Sequence, residues 1–334
     1  MVSAVIFVAT SCVSPLTGFA FWETNLAYEG ESIYNYLQVK NLSDRTILST
    51  NVLFGVQSVT MKDKGLTGMY YDTALAAPAL ADNANSALIL GMGTGTYARQ
   101  LKQYYPKMNI TGAEIDQKIT DLAGEYFDEP ADIPVTTYDG RAWLAASHDK
   151  YDVIMVDAYQ DITIPFQMSS TEFFTMVREH LNPGGVMVVN MNMISDGQGS
   201  INEALSDTIA SVFGNGNTLT ADVPNTTNRE LFAKKPGSGS EENSMQQASK
   251  ALNLRETTYE RTGSEDLEWY MEEVASRFRK VNEPDSASTI LTDDKAPVEV
   301  LGMHAIDQII ADEAGPYRQI LKDEGFGGLL RAVQ

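Results

Sequence analysis

The sequence predicts an α/β fold, in which a doubly wound, mainly parallel sheet follows a small antiparallel β-domain. First, apolar strand-like segments alternate with helical patterns over residues 86–190. Second, short β-branched segments separated by polar turns precede this region, over residues 34–61. Third, a glycine-rich turn directly follows the first strand of the alternating region. We place the β-domain and a connecting helix at 23–82 and the large domain at 83–334, with a linker near 235–244.

The glycine-rich turn opens the large domain. An apolar run at Ala87–Leu90 suits a buried parallel strand, and a helical pattern begins at Tyr97. Between them, glycine occupies every second position, at Gly91, Gly93 and Gly95. A strand, a glycine turn and a helix are typical of a nucleotide-binding unit, because glycine lets the backbone approach the ligand. A tight turn without a ligand is the alternative interpretation.

The spacing of the turn narrows the class of nucleotide. A dinucleotide-binding turn has its third glycine at the position of Thr96, whereas here it is Gly95. The observed spacing is typical of Rossmann-like sites for S-adenosylmethionine and related sulfonium nucleosides. The next apolar segment, Ile110–Ala113, ends on Glu114, where an acid accepts hydrogen bonds from ribose hydroxyls. We therefore predict that this turn, including Thr94, and Glu114 bind a nucleoside.

Two further acids follow strand-like segments. Asp139 and Gly140 come after Ile133–Tyr138, and Asp157 comes after Tyr151–Val156, the most apolar strand of the chain. Ligands of doubly wound sheets bind at the carboxyl ends of the strands. Acids at three successive strand ends beside a glycine turn therefore predict one shared site.

The remaining pattern predicts further elements around this sheet. Apolar spacing and polar turns predict helices at Met69–Leu80, Met245–Leu252 and Leu267–Phe278, a hairpin of Thr218–Val223 with Glu230–Ala233, and a loop at 182–185. The mixed charge of the last two helices indicates a solvated helix face.

The composition limits the partners of the chain. It has 334 residues and a net charge of −21, from 45 acidic and 24 basic residues. This balance argues against nucleic acid, whose phosphates need a basic surface, and suits a cationic small molecule. Alternatively, the negative charge serves only to keep the protein soluble. One cysteine, and three histidines without the short spacings of ligand pairs, predict no metal site.

The first 22 residues form a segment without charged side chains. It is long enough to reach the membrane interior, but polar residues and Pro15 interrupt it, and no basic residue precedes it. We interpret it as a membrane anchor or its remnant, with an element of the fold or a signal segment as alternatives. We expect a cytoplasmic protein, associated with the membrane if the segment is an anchor.

Several motifs together resemble one family. Residues 32–39, 55–58 and 70–72 are similar to its opening strand, its second hairpin and the helix with a substrate-facing tyrosine. Its nucleoside, loop and C-terminal motifs match 91–95, 114–116, 139–141, 157–161, 164–165, 172–174 and 291–299. With these motifs, residues 32–301 resemble the spermidine synthase-like aminopropyltransferases, in particular the bacterial branch often fused to membrane segments.

This resemblance implies transfer of an aminopropyl group from decarboxylated S-adenosylmethionine to an amine such as putrescine. It implies that Asp157 is the base, since a protonated amine is not a nucleophile. It places Asp161, Tyr70, Gln57, Asn35 and Tyr159 at the amine, and Gly91, Gly93, Thr94, Gly95, Glu114, Asp139 and Gly140 at the nucleoside. Intact S-adenosylmethionine is the alternative co-substrate. The resemblance also predicts a homodimer.

Two positions depart from the family pattern. Thr94 stands where most members have aspartate, and the second aspartate of the loop comes one residue late, at Asp161. An enzyme that uses S-adenosylmethionine for other chemistry, such as methyl transfer, is therefore an alternative. Methyltransferases, however, commonly have an acid at the position of Ile89. A non-catalytic, membrane-associated nucleoside-binding module is the other alternative.

Overall fold

The computed structural model describes residues 20, 23–51, 56–63, 65–159, 164–192, 199–237, 254–286, 288–303 and 322. Nearly all of the N-terminal segment 1–22, most of the linker near 235–244 and the predicted helix Met245–Leu252 lie outside these residues. The domain boundaries given above therefore stay predictions. Among the described residues, no helix combines the length and the apolar character needed to cross a membrane.

A small sheet begins the described chain. Its antiparallel strands are β1 Leu26–Glu31, β2 Tyr36–Asn41, β3 Arg45–Thr50 and β4 Ser58–Met61, in that order. The sequence pattern missed β1, because its alanine, glycine and glutamates have low β-propensity and its pairing with β2 decides its conformation. Leu37, Val39 and Leu48 of this sheet pack against a helix of the large domain.

The large sheet has eight described strands. They are β5 Ser86–Leu90, β6 Asn109–Glu114, β7 Val135–Thr137, β8 Tyr151–Val156, β9 Leu181–Asn192, β10 Thr218–Asp222, β11 Asn228–Lys234 and β12 Arg279–Lys280. Their order is β12-β10-β11-β9-β8-β5-β6-β7, and the five strands from β9 to β7 are parallel. The predicted hairpin is confirmed as β10 and β11, which extend the sheet in antiparallel pairing.

Helices flank both faces of the large sheet. They are α1 Tyr70–Ala74, α2 Ala76–Leu80, α3 Thr96–Tyr104, α4 Gln117–Tyr126, α5 Gly140–Ala146, α6 Thr171–His180, α7 Ile201–Phe213, α8 Leu254–Thr262 and α9 Glu265–Arg277. Consecutive residues of the central strands enter different cores: Val153 lies in one apolar cluster and Ile154 in the other. Both faces are therefore covered, as expected of parallel strands, and the predicted fold class is confirmed.

Two predicted boundaries were wrong. The helix Met69–Leu80 is divided at Leu75, because Pro78 has no N–H to donate to the carbonyl of Ala74. The hydroxyl of Tyr97 donates to that carbonyl instead, at 3.1 Å. The loop predicted at 182–185 lies within β9, as an irregularity where the pairing with β8 shifts register.

Helix α1 is held in place from its inner side by Asp72. This carboxylate is fully buried and accepts hydrogen bonds from the backbone N–H groups of Thr67 and Gly68 and from Nε2 of Gln100, at 2.6–3.0 Å. Because the donors come from the preceding loop and from α3, these hydrogen bonds tie α1 to that loop and to α3. The tie fixes the position of Tyr70, the first residue of α1.

Candidate functional site

The glycine turn between β5 and α3 touches the loop that follows β8. Gly91 has a φ of 89°, and a Cβ atom there would lie 2.4 Å from the carbonyl oxygen of Asp157. Glycine is required because a side chain would both collide and strain the backbone. Gly93 and Gly95 also have positive φ angles, of 56° and 75°, and α3 begins directly after Gly95.

Glu114 ends β6 beside this turn. The N–H of Gly93 donates to its Oε2 at 2.8 Å, and the N–H of Asp116 donates to its Oε1 at 3.0 Å. Burial raises the pKa of the Glu114 carboxyl, although the two backbone hydrogen bonds act in the opposite direction. A carboxylate oxygen accepts more than one hydrogen bond, so both oxygens keep capacity for a pair of ligand hydroxyls.

Asp139 follows β7 and caps α5. Its carboxylate accepts a hydrogen bond from the N–H of Ala142 at 2.7 Å, which fixes the side chain at the carboxyl end of the sheet. A Cβ atom at Gly140 would meet Leu90 at 3.6 Å, an ordinary contact. The geometry of the chain alone therefore does not require glycine at position 140.

Asp157 follows β8 at the same edge of the sheet as Glu114 and Asp139. The hydroxyl of Tyr70 donates to its Oδ2 at 2.6 Å, and Nδ2 of Asn190 donates to its Oδ1 at 2.9 Å. Burial raises the pKa of Asp157 to about 7, and Glu114 adds to the rise, whereas the two hydrogen bonds lower the pKa. A carboxylate with this pKa can accept and release a proton near neutral pH.

One cavity brings most of the predicted residues together. It is lined by Asn35, Gln57, Tyr70, Gly91, Gly93, Glu114, Asp139, Gly140, Asp157 and Tyr159. The lining does not include Thr94 or Gly95. Asp161 lies outside the described residues.

Comparison with known proteins identifies the family. The family model for the spermine/spermidine synthase domain matches residues 69–235. A protein of Bifidobacterium longum named "probable polyamine aminopropyl transferase" is 99% identical over 334 residues, which cover all of this chain and 75% of that protein. The chain belongs to the spermine/spermidine synthase family.

More distant members of the spermine/spermidine synthase family also match. The polyamine aminopropyltransferase of Vibrio vulnificus is 27% identical over 209 residues, which cover 60% of this chain and 69% of that protein. The crystal structure of a probable spermidine synthase from Corynebacterium glutamicum matches with a TM-score of 0.56 and 21% identity, over 80% of this chain and 99% of that one. At this identity, the structural match supports the fold alone.

Thr94, the residue of the glycine turn that departs from the family pattern given above, does not line the cavity. It is 1% exposed, and its hydroxyl lies 3.3 Å from that of Thr96. Thr96 in turn contacts the hydroxyl of Thr60 at 2.9 Å and donates to the carbonyl of Val59. Thr94 thus belongs to a buried hydroxyl cluster between the small sheet and α3.

Asn35 and Tyr159 reach the cavity, but their polar groups bond to the protein. Nδ2 of Asn35 donates to Oδ2 of Asp116 at 2.9 Å, which joins the small sheet to the end of β6. The hydroxyl of Tyr159 donates to the carbonyl of Asn190 and accepts from the N–H of Asn192. The amide NH₂ group of Asn35 and the hydroxyl of Tyr159 are therefore already engaged in hydrogen bonds within the protein.

Two asparagines that the sequence pattern did not indicate are linked to Asp157 by hydrogen bonds. Asn190 lies near the carboxyl end of β9, where the strand-end rule that selected Asp157 would also have selected it. Asn228 begins β11, and its Nδ2 donates to Oδ1 of Asn190 at 2.9 Å. No periodicity indicates Asn228, because its role depends on the antiparallel pairing of β11 with β9.

A metal site was not predicted, and the described part of the chain holds no group of three histidine, cysteine, aspartate or glutamate residues that could bind a metal ion.

The C-terminal motif contributes Asp293 to a contact beside the cavity. Arg141 of α5 binds both carboxylate oxygens of Asp293 at 2.7 and 2.6 Å and donates to the carbonyl of Gln167. This contact holds the segment around Gln167, which lines the cavity.

Replacing Tyr70 with phenylalanine should raise the pKa of Asp157 above about 7. The variant loses a hydrogen bond that favours the ionised carboxylate, and such bonds contribute about 1.5–3 kcal/mol. If Asp157 acts as a base, activity at pH 7 should fall about tenfold or more and recover as the pH rises. The measurement is the pH profile of kcat.

The matched control is Tyr105→Phe. Tyr105 is buried, does not line the cavity, and is not among the groups that shift the pKa of Asp157. This variant should leave the acid limb of the profile in place. An acid limb that is unchanged in Tyr70→Phe would contradict the assigned role of the Tyr70 hydroxyl.

Proposed function

We propose that this chain is an aminopropyltransferase that moves an aminopropyl group from decarboxylated S-adenosylmethionine to an amine such as putrescine. The observation that supports it most is the position of Asp157. Its carboxyl, with a pKa of about 7, lies in the same cavity as the glycine turn and Glu114. A nucleoside site and a candidate base therefore share one space.

The donor lies along the carboxyl ends of β5, β6 and β7. Glu114 accepts hydrogen bonds from the ribose hydroxyls, for which its two oxygens keep capacity. Gly91 and Gly93 allow close approach of the nucleoside to the backbone, and Asp139 with Gly140 lies at the adenine side, as the family resemblance implies. Gly95 supports the turn from outside the cavity lining.

The acceptor lies beside Asp157 and Tyr70. Asp157 takes a proton from the ammonium, and the freed nitrogen lone pair attacks the aminopropyl carbon bonded to the sulfonium. A carbon–nitrogen bond forms as the carbon–sulfur bond breaks, and its electron pair stays on sulfur, giving methylthioadenosine. Tyr70 holds the carboxylate in place, and Gln57 lines the amine side of the cavity. Orientation along this line of attack supplies much of the acceleration.

The negative net charge of the chain is consistent with binding of both proposed substrates. The sulfonium donor and the ammonium acceptor are cations, and the chain has a net charge of −21. By resemblance, Asp161 holds the distal ammonium of the acceptor, with Asn35 and Tyr159 near the amine. A homodimer and a cytoplasmic location stay predictions from the family and the sequence.

Replacing Glu114 with alanine should weaken donor binding about 10- to 100-fold, because ribose hydroxyls lose a charged acceptor. Isothermal titration with decarboxylated S-adenosylmethionine measures the effect. The control is Glu179→Ala, which removes an exposed carboxylate near the end of α6. An equal donor affinity in Glu114→Ala and the unmodified protein would remove Glu114 from the donor site.

The reaction is tested by the choice of donor. The purified chain is incubated with putrescine and either decarboxylated or intact S-adenosylmethionine, and methylthioadenosine is measured. We expect it from the decarboxylated compound. Release of S-adenosylhomocysteine from the intact compound would instead indicate methyl transfer. Tight nucleoside binding without a product from any amine would contradict the proposal and favour a binding module.

A further inference from the structure

A chain of two amides ends on the carboxylate of Asp157. Nδ2 of Asn228 donates to Oδ1 of Asn190 at 2.9 Å, and Nδ2 of Asn190 donates to Oδ1 of Asp157 at 2.9 Å. Asn190 is 3% exposed. The backbone positions of both asparagines are set by the antiparallel ladder of β9 and β11, in which Asn228 pairs with Asn192 and Glu230 pairs with Asn190.

The direction of the hydrogen bonds follows from their chemistry. An ionised carboxylate only accepts, so Asn190 must present its NH₂ group to Asp157. An amide has similar shape in either orientation about its last torsion, and Asn190 alone could present either end. With the NH₂ group toward Asp157, its Oδ1 points toward Asn228, which supplies the donor that this oxygen needs.

We propose that Asn228 is a positioning residue for the reaction at Asp157: it fixes the amide of Asn190 in the orientation that donates to the carboxylate. We call the hydrogen-bonded chain Asn228–Asn190–Asp157 the relay. Its role in catalysis rests on the proposed function, but its effect on the pKa of Asp157 does not depend on turnover. Asn228 does not contact Asp157 itself in the hydrogen bonds described; it acts through Asn190.

The relay acts on the proton affinity of Asp157. Donation from Asn190 favours the ionised form and lowers the pKa that burial has raised. If the amide of Asn190 turned, its oxygen would face the carboxylate and disfavour ionisation. Within the described residues, the other groups with an electrostatic effect on or from Asp157 are Tyr70 and Tyr71 of α1, Glu114 of β6, Tyr159 of the loop after β8 and Glu230 of β11.

Glu230 does not take over this effect. It is fully buried, and burial first and then the charge of Asp157 raise its pKa well above its usual value. Both oxygens of its carboxyl are buried and accept no hydrogen bond within the described residues, so Glu230 is not part of the amide chain. From β9 and β11, the described hydrogen bond that reaches Asp157 comes from Asn190.

The test replaces Asn228 with aspartate in the full chain. Near neutral pH an aspartate at 228 only accepts, so Asn190 should turn its NH₂ group toward it and its oxygen toward Asp157. We expect the pKa of Asp157 to rise by about one unit, the size of one hydrogen bond to a charged group. The pKa is read without substrates from the ¹³C signal of labelled aspartate carboxyls, assigned by its absence in Asp157→Asn.

The matched control is Asn192→Asp. It adds the same charge two residues from Asn190 on β9, but Asn192 is not part of the relay, and its Oδ1 only accepts a long contact from Thr227 at 3.5 Å. In this variant the pKa of Asp157 should shift by less than about 0.3 units, because the new charge acts on Asp157 only through a screened electrostatic interaction. Equal shifts in both variants, or no shift in Asn228→Asp, would overturn the relay.

A second variant tests the relay in case Asn228→Asp does not fold. Asn228→Ala removes the donor without adding charge, and it should raise the pKa of Asp157 in the same direction by a smaller amount. An unchanged pKa in this variant would overturn the inference even if Asn228→Asp does not fold. Because the titration needs no substrate, a chain without aminopropyl transfer would still report the relay, so the two proposals fail separately.

Discussion

Asp157→Asn should lower turnover with putrescine about a thousandfold, within the range of 10²–10⁴ that a positioned general base contributes. The amide keeps the shape of the side chain and can still bond to Tyr70, but it cannot take a proton from the ammonium. Donor affinity should stay within a few fold, because the proposed nucleoside site at Glu114 and the glycine turn is unchanged. Single-turnover rates and donor titration measure the two effects.

The same variant should also change how stability depends on pH. Burial in the folded state raises the pKa of Asp157 from its usual 3.8 to about 7. The free energy of unfolding therefore decreases as the pH rises from the lower value to the higher one, because the unfolded chain ionises first. Asparagine removes this decrease, so the melting temperature at pH 8 should not fall. Turnover that is unchanged in Asp157→Asn would remove this residue as the base.

Asp152→Asn is the matched control for that variant. Asp152 lies at the other end of β8, is 4% exposed and accepts hydrogen bonds from the N–H of Asn85 and from Asn182. Its replacement should lower stability, because an amide satisfies these donors less well. Turnover per folded molecule should stay within a few fold, since Asp152 does not line the cavity.

Gly91→Ala should lower turnover about a hundredfold, the effect expected when reacting groups move by about 1 Å. The added methyl would lie 2.4 Å from the carbonyl oxygen and 2.6 Å from the carbonyl carbon of Asp157. Backbone movement that relieves this collision displaces Asp157, the proposed base, whose N–H bonds to the carbonyl of Leu90 at 2.9 Å. The φ of 89° adds strain of about 1–3 kcal/mol for a residue with a side chain.

The control for Gly91→Ala is Gly124→Ala. Gly124 lies within α4, and a Cβ atom there would meet nothing within 4 Å. Alanine should therefore stabilise the chain slightly, by about 0.5–1 kcal/mol, with unchanged turnover. Thermal unfolding and steady-state rates measure both variants, and full activity in Gly91→Ala would show that the close approach to Asp157 is not needed.

Much of the fold could be predicted, because its strands are buried on both faces. Tyr151–Val156 is apolar except for Asp152 and is β8 with the predicted bounds. Elements that depend on pairing could not be predicted in this way. Strand β1 contains alanine, glycine and glutamate and is defined by its neighbour β2, and the bulge in β9 depends on the register with β8.

The site was predictable to the extent that it follows strand ends. Glu114, Asp139 and Asp157 were selected by this rule, and all three line one cavity. The rule gives positions but not the direction of side chains. Thr94 lies in the glycine motif, yet its side chain enters a hydroxyl cluster with Thr96 and is absent from the lining.

The sequence also could not show what bonds to the predicted residues. The pKa of Asp157 depends on its burial and on donors from α1 and β9, which are 87 and 33 residues away in sequence. Such contacts follow from tertiary packing and have no local pattern. Only the structure shows that Asn190 bonds to the candidate base and that Asn228 bonds to Asn190.

Isotope transfer tests the central claim, that the cavity joins a nucleoside donor to an amine through Asp157. The chain is incubated with putrescine and decarboxylated S-adenosylmethionine labelled with ¹³C in the aminopropyl group, and the products are followed by mass spectrometry. We predict one labelled aminopropyl group on the amine for each unlabelled methylthioadenosine, with both products lost in Asp157→Asn. Unlabelled amine in the presence of bound nucleoside, or equal product formation in Asp157→Asn, would contradict the account.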